Sequence, residues 1–231
     1  MAAMVCCPRC LGTLRAPNVW SSDWRCETHG AVLPYRVVPG PHAGGLRHRL
    51  AAPGVPVWMP WPMPVGWVVT GLATVGDERS GVRASALALS GPNLSGGAAD
   101  LAIVAEDPGV GLGARLAGIT GPDPGELGER PDARPDAKVR AAQHPTPLWD
   151  VPSGEDCDAL YGEARGLWLW MVFWPAGASL LLEEDLSLVD LRDQPQRVDV
   201  IPYGAPCPHL ATVPPQAQRR SAASTHVTPP D

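Results

Sequence analysis

"LWLWMVFW", Leu167 to Trp174, is the stretch on which the fold turns. A strand shows alternate side chains to opposite faces. That period puts Trp168, Trp170, Val172 and Trp174 on one face and Leu167, Leu169, Met171 and Phe173 on the other. A strand apolar on both faces belongs inside a sheet, with a covering layer on each side. The uncharged run continues to Leu182, 17 residues from Gly166, the short end of the ~17–25 that a membrane helix needs. Pro175-Ala176-Gly177 interrupts it as a turn. The expectation is therefore a buried hairpin and no membrane span, with "ASLLLEEDLSLVDLR" (178–192) returning as the neighbouring strand.

Outward from that strand, short apolar segments recur. "WVVTGLATV" (67–75) and "VRASALALS" (82–90) flank the polar loop "GDERSG" (76–81), a hairpin signature. "ADLAIVAE" (99–106) and "PLWDV" (147–151) read as further strands. Between them, residues 121–147 read as a long polar loop, with a short helix at Ala137–Ala142. A second short helix is expected around Leu46–Ala51, between glycine and proline. "VPVWMPWPMPVGW" (55–67) holds Pro56, Pro60, Pro62 and Pro64, which forbid a helix or a central strand. In polyproline II geometry Trp58, Trp61, Pro64 and Trp67 share one face, a ridge suited to packing across a sheet.

Cysteine usage marks a second unit. Cys7-Pro8-Arg9-Cys10 is followed, after fifteen residues, by Cys26-Glu27-Thr28-His29. Ligands two residues apart close over one ion in a knuckle turn, and two knuckles complete a tetrahedron. Pro8 presets φ in the first, and Gly30 directly follows the second, where positive φ is required. Three thiolates and one imidazole with no open position suit a structural Zn²⁺ held by Cys7, Cys10, Cys26 and His29. Cys6 is the spare sulfur, Cys157 and Cys207 stand alone, and "CPH" at 207–209 lacks a partner pair. Trp20 and Trp24 lie in the ribbon hairpin and are expected to cover the ion.

The fold class is thus α+β: a small N-terminal zinc ribbon (5–38), a connector (39–55), a strand-dominated body with few short helices (56–212), and a polar, proline-rich tail (213–231) expected to be disordered. Of 231 residues, 45% are hydrophobic and 18% charged, which suits a folded globule. Proline (28) and glycine (25) approach a quarter of the chain, so loops should outnumber long helices. The start "MAAMVCCPRC" lacks the apolar core of a secretory signal, so a cytoplasmic location is expected. The net charge of −6 is uneven: residues 1–50 carry six arginines against Asp23 and Glu27. Such a basic head suits an acidic protein partner, nucleic acid, or the acidic body itself.

In the body, "GVGLGAR" (109–115) follows a strand as a nucleotide loop would, but Gly118 and Gly121-Pro122 stop the helix that a dinucleotide site requires. A bend packed tightly against the sheet is expected instead. Asp77, Glu106, Glu163 and Asp185 are the candidate acid–base groups, and Arg79, Arg115 and Arg165 the candidate anion binders. Their spacing forms no nucleophile–base pattern, so no catalytic or cofactor-binding residue is assigned.

The stretches "VPVWMPWPMPVGW", "GDERSG", "GVGLGAR", "GPDPG" and "GEARGLWLW" resemble a family of actinobacterial proteins of unestablished function. The likeness covers Cys7 to about Leu210 and includes the zinc-ribbon-like pairs matched by Cys7, Cys10, Cys26 and His29. Some members of that family bear the name phosphotransacetylase. The expected role is a non-enzymatic interaction or regulatory protein. The alternatives are an enzyme acting on an acyl or phosphate compound between the Gly109–Arg115 loop and Arg79 or Arg165, and nucleic-acid binding through the ribbon.

Overall fold

The computed structural model describes residues 5–38, 40–52, 54–125 and 134–211. It opens with three two-residue strands, β1 (Leu14–Arg15), β2 (Arg25–Cys26) and β3 (Gly30–Ala31), paired antiparallel in that order. The chain then enters β4 (Tyr35–Val37), α1 (Ala43–Leu50), β5 (Trp58–Pro60), β6 (Val68–Asp77), β7 (Gly81–Pro92), β8 (Ala98–Glu106) and α2 (Leu112–Ala117). Five more strands follow: β9 (Ala137–Ala141), β10 (His144–Val151), β11 (Asp158–Ala164), β12 (Leu167–Trp174) and β13 (Ser187–Asp190). Among the described residues, ten strands make one sheet in the order β4-β6-β7-β8-β12-β11-β10-β9-β13-β5, antiparallel except where β13 meets β9. The architecture is α+β and strand-dominated. The tail expected at 213–231 lies outside the described residues.

Strand β12 sits between β8 and β11 and is covered on both faces, as its two apolar faces require. Leu169, Met171 and Phe173 join Leu87, Leu89, Leu101 and Ile103 in one core. Trp170 and Val172 join a second core on the opposite face. The two faces are built differently. The first carries large side chains, and the far end of the sheet curls back over it, so that β5 packs across β7 and β8. The second is paved with alanines (Ala73, Ala84, Ala86, Ala88, Ala102, Ala159), which lets α2 and the segment around Cys207–Leu210 approach closely. Gly113 of α2 shows how closely: an added Cβ would stand 2.3 Å from the Trp170 ring. The loop 109–115 is thus the tight bend against the sheet that its glycines imply.

Several expectations change. Residues 178–192 do not return beside β12: Ala178–Glu183 is a 3-10 turn on Pro175-Ala176-Gly177, and β13 pairs with β9 and β5. Leu181 and Leu182 enter the first core from that turn, which satisfies their burial without a strand. The helix expected at Ala137–Ala142 is strand β9, because its partners β10 and β13 supply a ladder on each side. The Trp ridge packs inward, with Trp58 and Trp67 buried and Trp61 half-buried against the first core. Its prolines confine β5 to the sheet edge. Among the described residues, no helix is long and apolar enough to cross a membrane.

Candidate metal centre

The first knuckle is a tight turn closed by Cys7 N–H to Gly12 O (2.8 Å) and Leu11 N–H to Cys7 O (2.9 Å). The second leaves β2 at Cys26, places His29 three residues on, and reverses at Gly30, whose φ of 69° is the positive value expected there. Short strands hold the two turns together: Leu14 pairs with Cys26, and Cys26 with Gly30.

This construction brings one donor atom from each of Cys7, Cys10, Cys26 and His29 within 4.8 Å of one another. The edges are Cys10 Sγ–Cys26 Sγ 3.7 Å, Cys7 Sγ–His29 Nδ1 3.6 Å and Cys26 Sγ–His29 Nδ1 3.7 Å. A tetrahedral ion with metal–sulfur bonds of ~2.3 Å and metal–nitrogen bonds of ~2.0–2.1 Å has S···S edges of about 3.8 Å and S···N edges of about 3.6 Å. The cluster has the size and donor set of a closed four-coordinate site. Burial opposes ionisation of Cys26, but hydrogen bonds from His29 and Thr28 outweigh it and hold this thiol below its ordinary range. Cys6 points elsewhere, into the second core beside Tyr35, and burial pushes its thiol up to about 11 against the pull of Arg115. Trp20 does not cover the cluster: it is 93% exposed at the ribbon tip beside Val19, while Trp24 lines the junction with the body.

The ribbon is fastened to the body. Arg9 donates to the carbonyls of Gly109 and Val110, and Arg115 answers with Nε to Pro8 O at 2.6 Å. The Arg115 guanidinium lies over the Tyr35 ring at 4.9 Å. Arg79 reaches Ser22 O at 3.1 Å. Arg9 thus docks on the chain's own body, one of the three destinations open to a basic head. A cleft of about 360 Å³ remains between the units, lined by Arg9, Trp24, Asp77, Arg79 and Gly109 among others.

The other candidate residues scatter. Asp77 accepts the N–H groups of Arg79 and Ser80 and shapes the β6–β7 turn. Glu163 and Asp185 are exposed on β11 and just before β13. Arg165 belongs to the β11–β12 turn, paired with Asp190 and Asp193, so it does not share the junction cleft with Arg79. Cys157 and Cys207 are buried. His209 stacks on Trp174 at 4.0 Å and faces Asp100 at 3.4 Å.

Glu106 is wholly buried and takes the N–H groups of Leu112 (2.7 Å) and Gly113 (3.2 Å), capping α2. Burial raises its carboxyl to about 8, with those two N–H groups opposing and Asp123 adding repulsion. A folded-state value above the unfolded one means that folding favours the protonated form. Stability from this group is full below the unfolded value of 4.5 and is lost as pH climbs toward about 8. Urea unfolding of Glu106→Gln should therefore lack most of the decline that the parent shows across that window, a difference on the order of 5 kcal/mol. An identical pH slope in both proteins would refute this role.

The model of "Family of unknown function (DUF6758)" matches residues 1–210, and the chain belongs to that family. Comparison with curated proteins and with solved structures gave no significant match.

Proposed function

Starting from that membership, we propose that the protein is a cytoplasmic interaction or regulatory protein whose ribbon is held by one structural Zn²⁺ on Cys7, Cys10, Cys26 and His29. The observation that carries the reading is the set of near-tetrahedral edges among four donors that form two pairs at knuckle spacing. A closed site of three thiolates and an imidazole leaves no position for substrate or water, so the ion's contribution is to folding. Zinc fixes the tip that carries Val19 and Trp20, 92% and 93% exposed. Just behind that tip Arg15 and Arg25 stand directly opposite each other on β1 and β2. Like charges across a strand pair cost stability, and the described structure gives neither arginine an ion pair. An apolar tip backed by two unpaired cations fits an acidic protein surface.

Two measurements test this. Elemental analysis of the purified protein should find one zinc per chain, retained in Cys6→Ser. Affinity capture from the native cell with the parent and with Trp20→Ala should recover a protein partner that the variant loses. Zinc absent from the parent, or a Cys6→Ser variant that has lost it, defeats the metal assignment. Retained nucleic acid in place of protein would hand the ribbon to the nucleic-acid reading.

A further inference from the structure

Trp58 and Trp61, three residues apart in the proline-rich ridge, each carry a guanidinium on the ring. Arg165 lies over Trp58 at 5.5 Å and Arg197 over Trp61 at 3.7 Å. A stacked guanidinium keeps its in-plane N–H donors and loses little further freedom when it binds an anion. Arg197 is held a second time, because its Nε donates to the Gln194 side chain. Both arginines line a pocket of about 480 Å³, together with Arg140 from β9. Arg140 is exposed and has no ion pair among the described residues.

The acidic groups nearby do not cancel these charges. Asp190 is buried; Arg192 engages it through Nε (3.1 Å) and Nη2 (2.9 Å), the N–H groups of Val57 and Arg192 donate to it, and Arg165 Nη1 stands at a longer 3.4 Å. Arg192 is not part of the pocket wall, so Asp190 is balanced from behind. Asp193 meets Arg165 at 3.2 Å with 59% of its side chain exposed, and a solvent-exposed pair of that kind is weak. Counting Arg192, four arginines meet two carboxylates, Asp190 and Asp193, a local excess of two positive charges on a chain of net charge −6. Two tight turns frame the pocket. Ala142-Gln143 and Arg165-Gly166 both have positive φ at each residue, the type I′ form that closes a two-residue hairpin. Arg165 is thus pinned by its backbone as well as its ring contact.

We infer that this pocket binds a phosphate group. A phosphate monoester carries about −1.5 to −2 charge at neutral pH and offers three acceptor oxygens, and arginine forks meet such oxygens in pairs. The site is separate from the metal ribbon and does not depend on it.

Calorimetric titration with inorganic phosphate at constant chloride should show saturable one-to-one binding, with Kd on the order of 0.1–1 mM. Arg197→Gln and Arg140→Gln should each weaken it about tenfold or more. Arg140 is exposed and unpaired, so its variant should keep the parent's fold, as amide NMR spectra will verify. The same spectra should show phosphate-dependent shifts at Gln143 and Gln194. A parallel titration with glucose 6-phosphate separates the sources: tighter binding assigns the site to an organic phosphate ester, and equal or weaker binding assigns it to the free ion. Absence of saturation, parent-like binding by both variants, or shifts confined to residues outside the pocket would overturn the inference.

Discussion

Cys26→Ser is expected to release the metal and unfold residues 5–34 while the ten-stranded sheet stays folded. The ribbon's own strands are two residues long and its sheet has three of them, far too little to offset the ordering cost of ~1–2 kcal/mol per residue. A structural zinc supplies an apparent ~10–16 kcal/mol, and removing one thiolate removes most of it. The body has its own first core, to which the ribbon contributes nothing before Val38. Its second core does lose Cys6 and the Arg9 and Arg115 contacts, so the body's melting temperature should also fall, by a smaller amount. Hydrogen exchange resolves the two effects: amides of Leu11 and Val32 should exchange freely, and those of β7, β8 and β12 should remain protected. Continued protection of the ribbon in Cys26→Ser would show that docking alone holds it. Loss of all protection would show that ribbon and body are one cooperative unit.

The second large effect is expected at Trp58. The side chain is 1% exposed, lies in the first core, and carries Arg165 on its ring. Truncation to Ala should cost ~3–5 kcal/mol, a large part of the ~5–15 kcal/mol available to a domain. Trp61 is half-buried and packs at the margin of the same core. Trp61→Ala should cost less than half as much, although polyproline II geometry would put the two residues on one face. Urea unfolding of both variants with unchanged m-values gives the comparison. Equal losses would mean that Trp61 is as much a core residue as Trp58.

The readable parts of this chain were those in which one local pattern had a single physical solution. Apolar side chains on both faces of Leu167–Trp174 could only be satisfied between two layers, and the spacing of Cys7, Cys10, Cys26 and His29 brings their four donor atoms together. The loop 76–81 between two apolar runs was equally plain. The misreadings came where local preference and tertiary pairing disagree. Ala137, Lys138, Arg140 and Ala141 are good helix formers, yet two neighbouring strands claim their backbone. Leu180, Leu181 and Leu182 look like strand, but a single 3-10 turn buries the last two. Strand β11 went unread because Asp158, Gly162 and Glu163 break its apolar pattern; Gly162 is needed where an added Cβ would come within 2.3 Å of Pro147 O. The docking of Arg9 on Gly109 and Val110, and the meeting of Arg140, Arg165 and Arg197, join residues too far apart in sequence for any local pattern to announce them.

The segment Tyr203–Leu210 gives the fold a timetable. It runs beside β6, with Gly204 N–H on Val69 O and Cys207 N–H on Thr70 O, and ends where the Tyr35 hydroxyl donates to Leu210 O at 2.7 Å. Leu210 sits against Gly71, so the alanine-paved face is sealed only when this piece arrives. Tyr35 and Leu210 are 175 positions apart. At ~5–20 residues per second a ribosome needs roughly 10–35 s to cover that interval. During that time the four donors of the ribbon are already made and β6–β8 can already pair, while the face they share stays open to solvent. The nascent chain is therefore expected to be most exposed to aggregation and to chaperones after the Cys7–His29 cluster has been made, and the segment Tyr203–Leu210, not that cluster, closes the face.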